Sequence, residues 1–394
     1  MSFRLPREGE FLREVLRDPP VAVADLAVRT QGGWFDWDSL ERIVFRSRVV
    51  PVVALRLSSE EALRDLFPGT LVRSIEEEGE KTAARNLFKE QELAGLVTAF
   101  EAEGIPVIVL KGLPFGERFY GNSVLREVRD IDLLVPPEFM DRAERALCDL
   151  GYALFEGIHS RAYYRRHHFH LVYVRRGLGI DVVELHWNLL PHPWNLNVDV
   201  GSLFRGSRAY DYRGSRIRVL SPVDEAAHLS ASLRMGLFVS IKRLLDVEKI
   251  LRAVRNEVAA EEIVARGEEW GIGEEVRTAL FFADRFWGEG GTGIRFPSRI
   301  GRFASRIRGS DFFGLEPGRE VRLRIWWGYC FARRSRLSFL ARLLWRDETL
   351  RASIFFEEAS CPSARSRVRR FLAAIVWILD LLAHRTLSVF RRRP

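Results

Sequence analysis

The stretch Arg129-Asp130-Ile131-Asp132-Leu133-Leu134-Val135 decides how the chain folds. As a strand it alternates, with Asp130, Asp132 and Leu134 on one face and Ile131, Leu133 and Val135 on the other. The apolar face calls for a core. On the opposite face two like charges repel and call for a positive neighbour. A divalent cation meets that need, because hard Mg²⁺ prefers one or two carboxylates plus phosphate oxygens to an all-protein cage, and Mn²⁺ suits the same oxygen ligands. The pair therefore reads as a metal–phosphate site. The plainer reading is a solvent-facing strand end whose acids bind nothing.

Outward from this strand the pattern is mixed. Upstream, Ile105 to Leu110 is a short β-branched run, followed by Lys111-Gly112 and a helix-compatible segment through Tyr120. Downstream, Pro136-Pro137 ends the strand, residues 138–150 carry Phe139, Ala143, Ala146, Leu147 and Leu150 along one helical face, and Gly151 stops that helix. Strand-like runs follow at 168–174 and 180–187, joined by a hairpin at 175–179, and a second hairpin spans 209–220 around Arg213-Gly214. The run Ile180-Asp181-Val182-Val183-Glu184-Leu185-His186-Trp187 adds two acids, Asp181 and Glu184, on opposite faces of one strand. Before the core, Leu12, Val15 and Leu16, then Leu40, Ile43 and Val44, then Leu87, Leu93, Leu96, Val97 and Phe100 recur at helical spacings, with breaks at Pro19-Pro20 and Gly32-Gly33. Past Ser221-Pro222 the remainder reads as helices. Three units are expected: a helical lead-in over 1–103, an α/β core over 104–220 and a helical region over 221–394.

With 394 residues, 47% hydrophobic and 29% charged, the chain has the composition of an ordered globular protein, which excludes a disordered one. The 61 Lys+Arg against 53 Asp+Glu give +8, favouring anionic partners such as nucleotides, though the excess is modest for a dedicated nucleic-acid binder. Cys148, Cys330 and Cys361 have no paired spacing, so no disulfide framework is indicated and a reducing cytoplasm is expected. Residues 1–8 lack the apolar core of a secretory signal. Residues 371–379 form an apolar run extended by Leu381, Leu382 and Ala383, short of the roughly 20 residues of a membrane span. It reads as a packed terminal helix. Peripheral membrane contact through 365–394 is the second reading, since arginines from Arg365 to Arg393 flank the run and Trp377 lies within it. Trp326-Trp327 and Trp345 read as one amphipathic helix. In His167-His168-Phe169-His170, His168 and His170 share a strand face and could join His186 in a zinc site, but no cysteine and no recognised spacing supports one.

A strand, Lys-Gly opening a helix, Asp-x-Asp on a strand and a further acid on a later strand form an order that resembles the nucleotidyltransferases of the DNA polymerase beta superfamily. More closely, it is similar to the bacterial family of uncharacterised nucleotidyltransferases. The resemblance rests on Gly104-Ile105-Pro106-Val107-Ile108-Val109-Leu110-Lys111-Gly112, Tyr120-Gly121, Arg126, Asp130 to Val135 and Glu184-Leu185-His186-Trp187. In the flanks it adds Asp36-Trp37, Pro51, Leu220-Ser221-Pro222, His228 and Arg243-Leu244-Leu245-Asp246.

That resemblance implies an α+β fold, in which a polymerase-beta-like nucleotidyltransferase core of mixed sheet and helices is flanked by N- and C-terminal helical regions. It implies an NTP-dependent, two-metal enzyme that moves an NMP to a hydroxyl or phosphate acceptor, a small molecule or peptide sooner than a polymer. Asp130, Asp132 and Glu184 would be the catalytic, metal-binding carboxylates for Mg²⁺ or Mn²⁺; Glu184 is preferred to Asp181 because it matches Glu-x-His-Trp. Lys111 and the amides around Gly112 would receive phosphate oxygens, with Arg126 or Arg129 as a clamp. One departure stands out: the superfamily's Gly-Ser or Gly-Gly lies closer to the first acid than Lys111-Gly112 does here, and Gly121-Asn122 is slightly too near. Two rival classes remain, a non-catalytic nucleotide-binding adaptor or regulator that retains the fold, and a template-independent RNA nucleotidyltransferase whose binding should fall steeply with salt.

Overall fold

A computed structural model describes residues 5–31, 35–155, 161, 164–165, 168–176, 180–190, 198–236, 238–288, 296, 298–305 and 307–312. The acidic stretch is strand β2 (Ile131–Leu134), flanked in the chain by β1 (Ile108–Leu110), β3 (Ala153–Leu154), β4 (His170–Arg176) and β5 (Ile180–His186). These make a mixed five-stranded sheet in the order β1-β2-β5-β4-β3. Only β2 and β5 run parallel; the other neighbours are antiparallel. A parallel pair needs a long crossover, which contains the helix Met140–Asp149.

The alternation read in the sequence divides the sheet's two faces. Ile131, Leu133 and Val135 join Leu171, Tyr173, Val183 and Leu185 against Ala143 and Leu147 of the crossover helix and the C-terminal half of the helix Gly69–Ala102. Burying each such Leu, Ile or Val is worth about 1.5–3 kcal/mol, and a one-residue slip would expose the whole set, so this face fixes the register. On the other face Ile108, Leu110 and Leu134 enter a second cluster, with the N-terminal helices and the helices Pro222–Ser232, Ile241–Val254 and Gly273–Trp287. Asp132 of β2 lies on this second face, alternating with Ile131 and Leu133.

Side chains tie the connection before β2 to its surroundings. Buried Asn86, on the long helix, donates through Nδ2 to the carbonyls of Ser123 (3.0 Å) and Arg126 (2.9 Å). At Gly116, in the helix Gly112–Tyr120, a Cβ would sit 3.0 Å from the Ser123 Cα, so glycine permits that close approach. The Arg126 guanidinium grips both oxygens of Asp246 on the helix Ile241–Val254 at 2.9 Å, and Tyr120 donates its hydroxyl to Asp246 Oδ1 at 2.8 Å. Arg118 and Glu225 form a second tie at 2.8 Å. The hairpin around Arg213-Gly214 is formed by β6 (Arg208–Tyr212) and β7 (Ser215–Val219), with both turn residues at positive φ, as a two-residue turn of this hand requires.

Several boundaries differ from the sequence expectation. The strand near 168–174 begins at His170 and extends to Arg176, because its partner β5 pairs that far. Strand β3 is two residues long and carried no period to detect. Among the described residues no helix is long and apolar enough to cross a membrane. Residues 365–394, Trp326-Trp327, Trp345, Cys330 and Cys361 lie outside the described residues. Cys148 is an exposed free thiol.

Asp246 is buried, and although burial opposes its charge, Arg126 and Lys242 hold its carboxyl well below the usual range. Its stabilising contribution is therefore full above the ordinary carboxylate range near pH 4 and is lost as pH falls below it. Asp246→Ala, which strands the buried Arg126 guanidinium, should lower stability by about 3–5 kcal/mol at neutral pH, read as a drop in the urea midpoint.

Candidate active site

The register of β2 against β5 sets Asp132 directly opposite Glu184 and Leu134 opposite His186. Asp130 immediately precedes β2, and one carboxylate oxygen from each of Asp130, Asp132 and Glu184 lies within 4.8 Å of the others. Asp132 is 1% exposed, whereas Asp130 and Glu184 are half-buried. Two cationic groups already face this trio. Lys111 Nζ lies 3.0 Å from Asp132 Oδ1, and His186 Nε2 lies 3.1 Å from the same oxygen and 3.3 Å from Glu184 Oε2. Asp132 Oδ2 is buried with no hydrogen-bond partner among the described residues. An orphaned carboxylate oxygen beside two further carboxylates fits a divalent cation, since leaving it unpaired costs free energy that a metal bond offsets.

The charges respond accordingly. Burial opposes ionisation of His186, yet its hydrogen bonds to Asp132 and Glu184 push it up to about 9, so the imidazolium persists at neutral pH. Burial likewise opposes the charges of Lys111 and Glu184. Asp132, Asp130 and Glu184 nevertheless hold Lys111 above its ordinary value, and His186 holds Glu184 below its own.

Lys111 reaches Asp132 from the turn between β1 and the helix Gly112–Tyr120. Its backbone is left-handed there (φ 37°, ψ −137°), and Gly112 follows at φ 67°. Glycine adopts such angles freely, but for lysine they carry strain. No side chain caps this helix N-terminus.

A cavity of about 430 Å³ opens beside Asp130. Its wall includes Arg46, Arg48, Lys111, Arg126, Arg129, Lys242 and Arg243, against the acids Glu127, Asp130, Asp246 and Asp311. Arg48 pairs with Glu127 at 2.8 Å and Lys242 lies 3.7 Å from Asp246. Arg46 and Arg243 reach no carboxylate within ion-pair distance among the described residues. His228, also in the wall, is driven down to about 3 by burial and is neutral.

The profile of a family described as uncharacterised nucleotidyltransferase matches residues 34–288. The chain belongs to that family. No curated protein matches it. Among solved structures, similarity is found to ANT(2'')-Ia in complex with adenylyl-2''-tobramycin, at 15% identity and a TM-score of 0.33, covering 46% of this chain and 97% of that one. The solution structure of the antibiotic-resistance factor ANT(2'')-Ia matches at 16% identity and a TM-score of 0.33, over 50% and 96% of the two chains. An antigenic nucleotidyltransferase-like protein from Paracoccidioides brasiliensis matches at 15% identity and a TM-score of 0.32, over 50% and 91%.

The residues singled out in this nucleotidyltransferase's sequence do not all gather at one point. Asp130, Asp132, Glu184 and Lys111 come together, and Asp181 lies apart, 3.3 Å from Arg175. Arg126 forms part of the cavity wall, and its Nε and Nη2 bond Asp246, so it acts as a strut between the core and the helix Ile241–Val254. Arg129 is exposed at the rim, 3.3 Å from Glu127. Sequence reasoning missed Arg46, Arg48 and Lys242. None stands in a motif: Arg46 ends the helix Trp37–Arg46, Arg48 lies in the turn after it and Lys242 is on the helix Ile241–Val254, and only the packing of these elements brings them to the cavity beside Asp130.

Lys242 gives a pH-dependent signature. Burial, together with Arg126 and Arg48, outweighs Asp246 and pushes its ammonium down to about 7. An unfolded lysine titrates near 10.4, so between roughly pH 7 and 10 the unfolded chain binds the extra proton and the native state gains stability as pH rises. Below about pH 7 the penalty is full. Lys242→Met should remove this slope, making the variant more stable than the parent at pH 6.5 and leaving the gap smaller at pH 9.5, as read by thermal melting.

Proposed function

We propose that this nucleotidyltransferase moves a nucleoside monophosphate from an NTP to a hydroxyl or phosphate of a small, non-polymeric acceptor, with Asp130, Asp132 and Glu184 as its metal-binding carboxylates. The observation that carries this reading is the meeting of three carboxylates, one with an orphaned buried oxygen and one, Asp130, lining a cavity rich in arginine and lysine. A bound Mg²⁺ or Mn²⁺ would neutralise triphosphate charge and acidify the attacking hydroxyl. The protein's own groups do the rest. His186 holds the Asp132 and Glu184 carboxylates side by side. Arg243 and Arg46, with no carboxylate to satisfy them, receive phosphate oxygens, and the uncapped amides at Gly112 add the partial positive charge of a helix N-terminus. Lys111 supplies an ammonium that can pass from Asp132 to the incoming phosphate.

The cavity also bears on the acceptor. Its volume of about 430 Å³ lies within the roughly 300–1,000 Å³ of small-molecule sites, and its cations line a pocket where a polymer-binding surface would carry them along an open stripe.

The test is incubation of the pure protein with each α-labelled NTP, Mg²⁺ and a small-molecule extract, followed by location of the label and assay of pyrophosphate. Label should move to a small product. Asp130→Asn, Asp132→Asn and Glu184→Gln should each lower transfer at least about a hundredfold with the fold retained, because losing a metal ligand costs at least as much as losing a group that orients one. Asp181→Asn should stay within about twofold, its partly exposed pair with Arg175 being worth at most about 1 kcal/mol. Full activity in both aspartate variants would remove the assignment, and Mg²⁺-ATP binding without pyrophosphate release would point to a non-catalytic adaptor. In a separate measurement, Arg243→Ala should weaken Mg²⁺-ATP binding about 10- to 100-fold in calorimetry, the loss of one charge-assisted phosphate contact.

A further inference from the structure

Glu184 faces the carboxylate trio on one side and histidines on the other. His170 on β4 and His186 on β5 are direct cross-strand partners, their rings 4.8 Å apart, and Glu184 lies two residues before His186 on the same face. His186 Nε2 is 3.3 Å from Glu184 Oε2 and His170 Nε2 is 3.9 Å from Glu184 Oε1. Ligand atoms of all three residues lie within 4.8 Å of one another. The geometry points to a second cation site, formed by His170, Glu184 and His186, that takes a borderline-soft divalent ion of the zinc class and shares only Glu184 with the all-oxygen trio.

Three arguments support it. A four-coordinate ion with arms of about 2.0–2.1 Å spans ligand separations of about 3.4 Å; Glu184 now offers Oε2 to His186 at 3.3 Å and Oε1 to His170 at 3.9 Å, and with all three ligand atoms within 4.8 Å of one another, rotation of the carboxylate and a closing movement of about 1 Å bring them onto one ion. Two imidazoles and one carboxylate are a donor set that zinc and cobalt favour and that magnesium, which seeks oxygen, does not. His170 Nδ1 and His186 Nδ1 are buried without a hydrogen-bond partner among the described residues, so only the Nε2 contacts to carboxylates orient the His186 ring and no acceptor stands behind either imidazole. That last point also limits affinity. Metal-binding histidines usually donate their second nitrogen to a neighbouring acceptor, and lacking one costs roughly 10- to 100-fold; the ion must also displace a proton from His186, so binding weaker than at a fully supported zinc site is expected.

Occupancy exchanges the hydrogen bonds of His186 to Asp132 and Glu184 for a metal bond, and it draws Glu184 from the oxygen trio. Zinc-class ions should then inhibit transfer, a consequence that rests on the function proposed above. Cation binding itself does not.

The experiment is a titration of the full-length protein with Co²⁺ in excess Mg²⁺, followed by visible absorption. One equivalent should bind with a d–d band typical of nitrogen-containing, low-coordinate cobalt, and Zn²⁺ should bleach that band. His170→Ala, and His170→Gln as a variant closer in size, should bind Co²⁺ at least about tenfold more weakly while keeping the parent's far-UV circular dichroism, and Asp130→Asn should keep the band. No band in the parent protein, or undiminished Co²⁺ binding in a folded His170 variant, would overturn the site. Loss of transfer in Asp130→Asn with no cobalt band in the parent would leave the transferase reading standing and remove this one alone.

Discussion

Two carboxylates lie directly opposite each other on neighbouring interior strands, and the rest of the site follows from how the protein tolerates that. Like charges so placed repel, and the apolar face of β2 and β5 denies them a change of register. Lys111 and His186 are the compensation, one from each side of Asp132. Lys111 must come from the end of β1, because Leu110 is the residue paired with Asp132 and the next ammonium in the chain has to turn back across β2. A left-handed lysine backbone costs on the order of 1–3 kcal/mol, and this one persists because the turn that strains it also delivers its charge.

The cavity wall repeats the theme on a larger scale. Arg126, Lys242 and Arg48 crowd together, and Asp246 and Glu127 balance only part of their charge. The core-to-helix tie made by Arg126 and Asp246 thus has two effects. It fastens the helix Ile241–Val254 beside the sheet, and it brings Lys242 and Arg243 to Asp130 on that same helix. An anion entering the cavity would relieve the remaining repulsion, so binding and stability are coupled: a ligand at 100 times its Kd adds about 2.7 kcal/mol.

How much of this was legible in the sequence depends on the range of the interaction. Asp130, Asp132 and the alternating Ile131, Leu133 and Val135 could be read because a strand's period of two is local. The Arg213-Gly214 turn was legible for the same reason, and so was the Glu184 face, given His186 two residues on. The tie of Arg126 to Asp246 was not legible, because the partner lies 120 residues away and no local pattern announces a buried strut. Arg46, Arg48 and Lys242 were invisible for a related reason: their convergence is a property of helix packing. The parallel pairing of β2 with β5 was not legible either, although it is what sets Asp132 against Glu184.

One face of the sheet therefore carries a graded series of donors across four adjacent strands. Lys111 follows β1, Asp130 and Asp132 belong to the β2 stretch, Glu184 and His186 lie on β5, and His170 lies on β4. Oxygen donors dominate at the end beside the cavity and nitrogen donors at the other, with Glu184 between them. Because side chains on a strand repeat every second residue, Glu184 cannot face Asp132 unless His186 faces the same way, and the β4 register then places His170 opposite His186. In the two proposed sites a hard cation and a softer one would be offered adjacent positions by one backbone arrangement. Which of them would hold Glu184 is then a matter of donor chemistry, since Glu184 belongs to both groups of side chains.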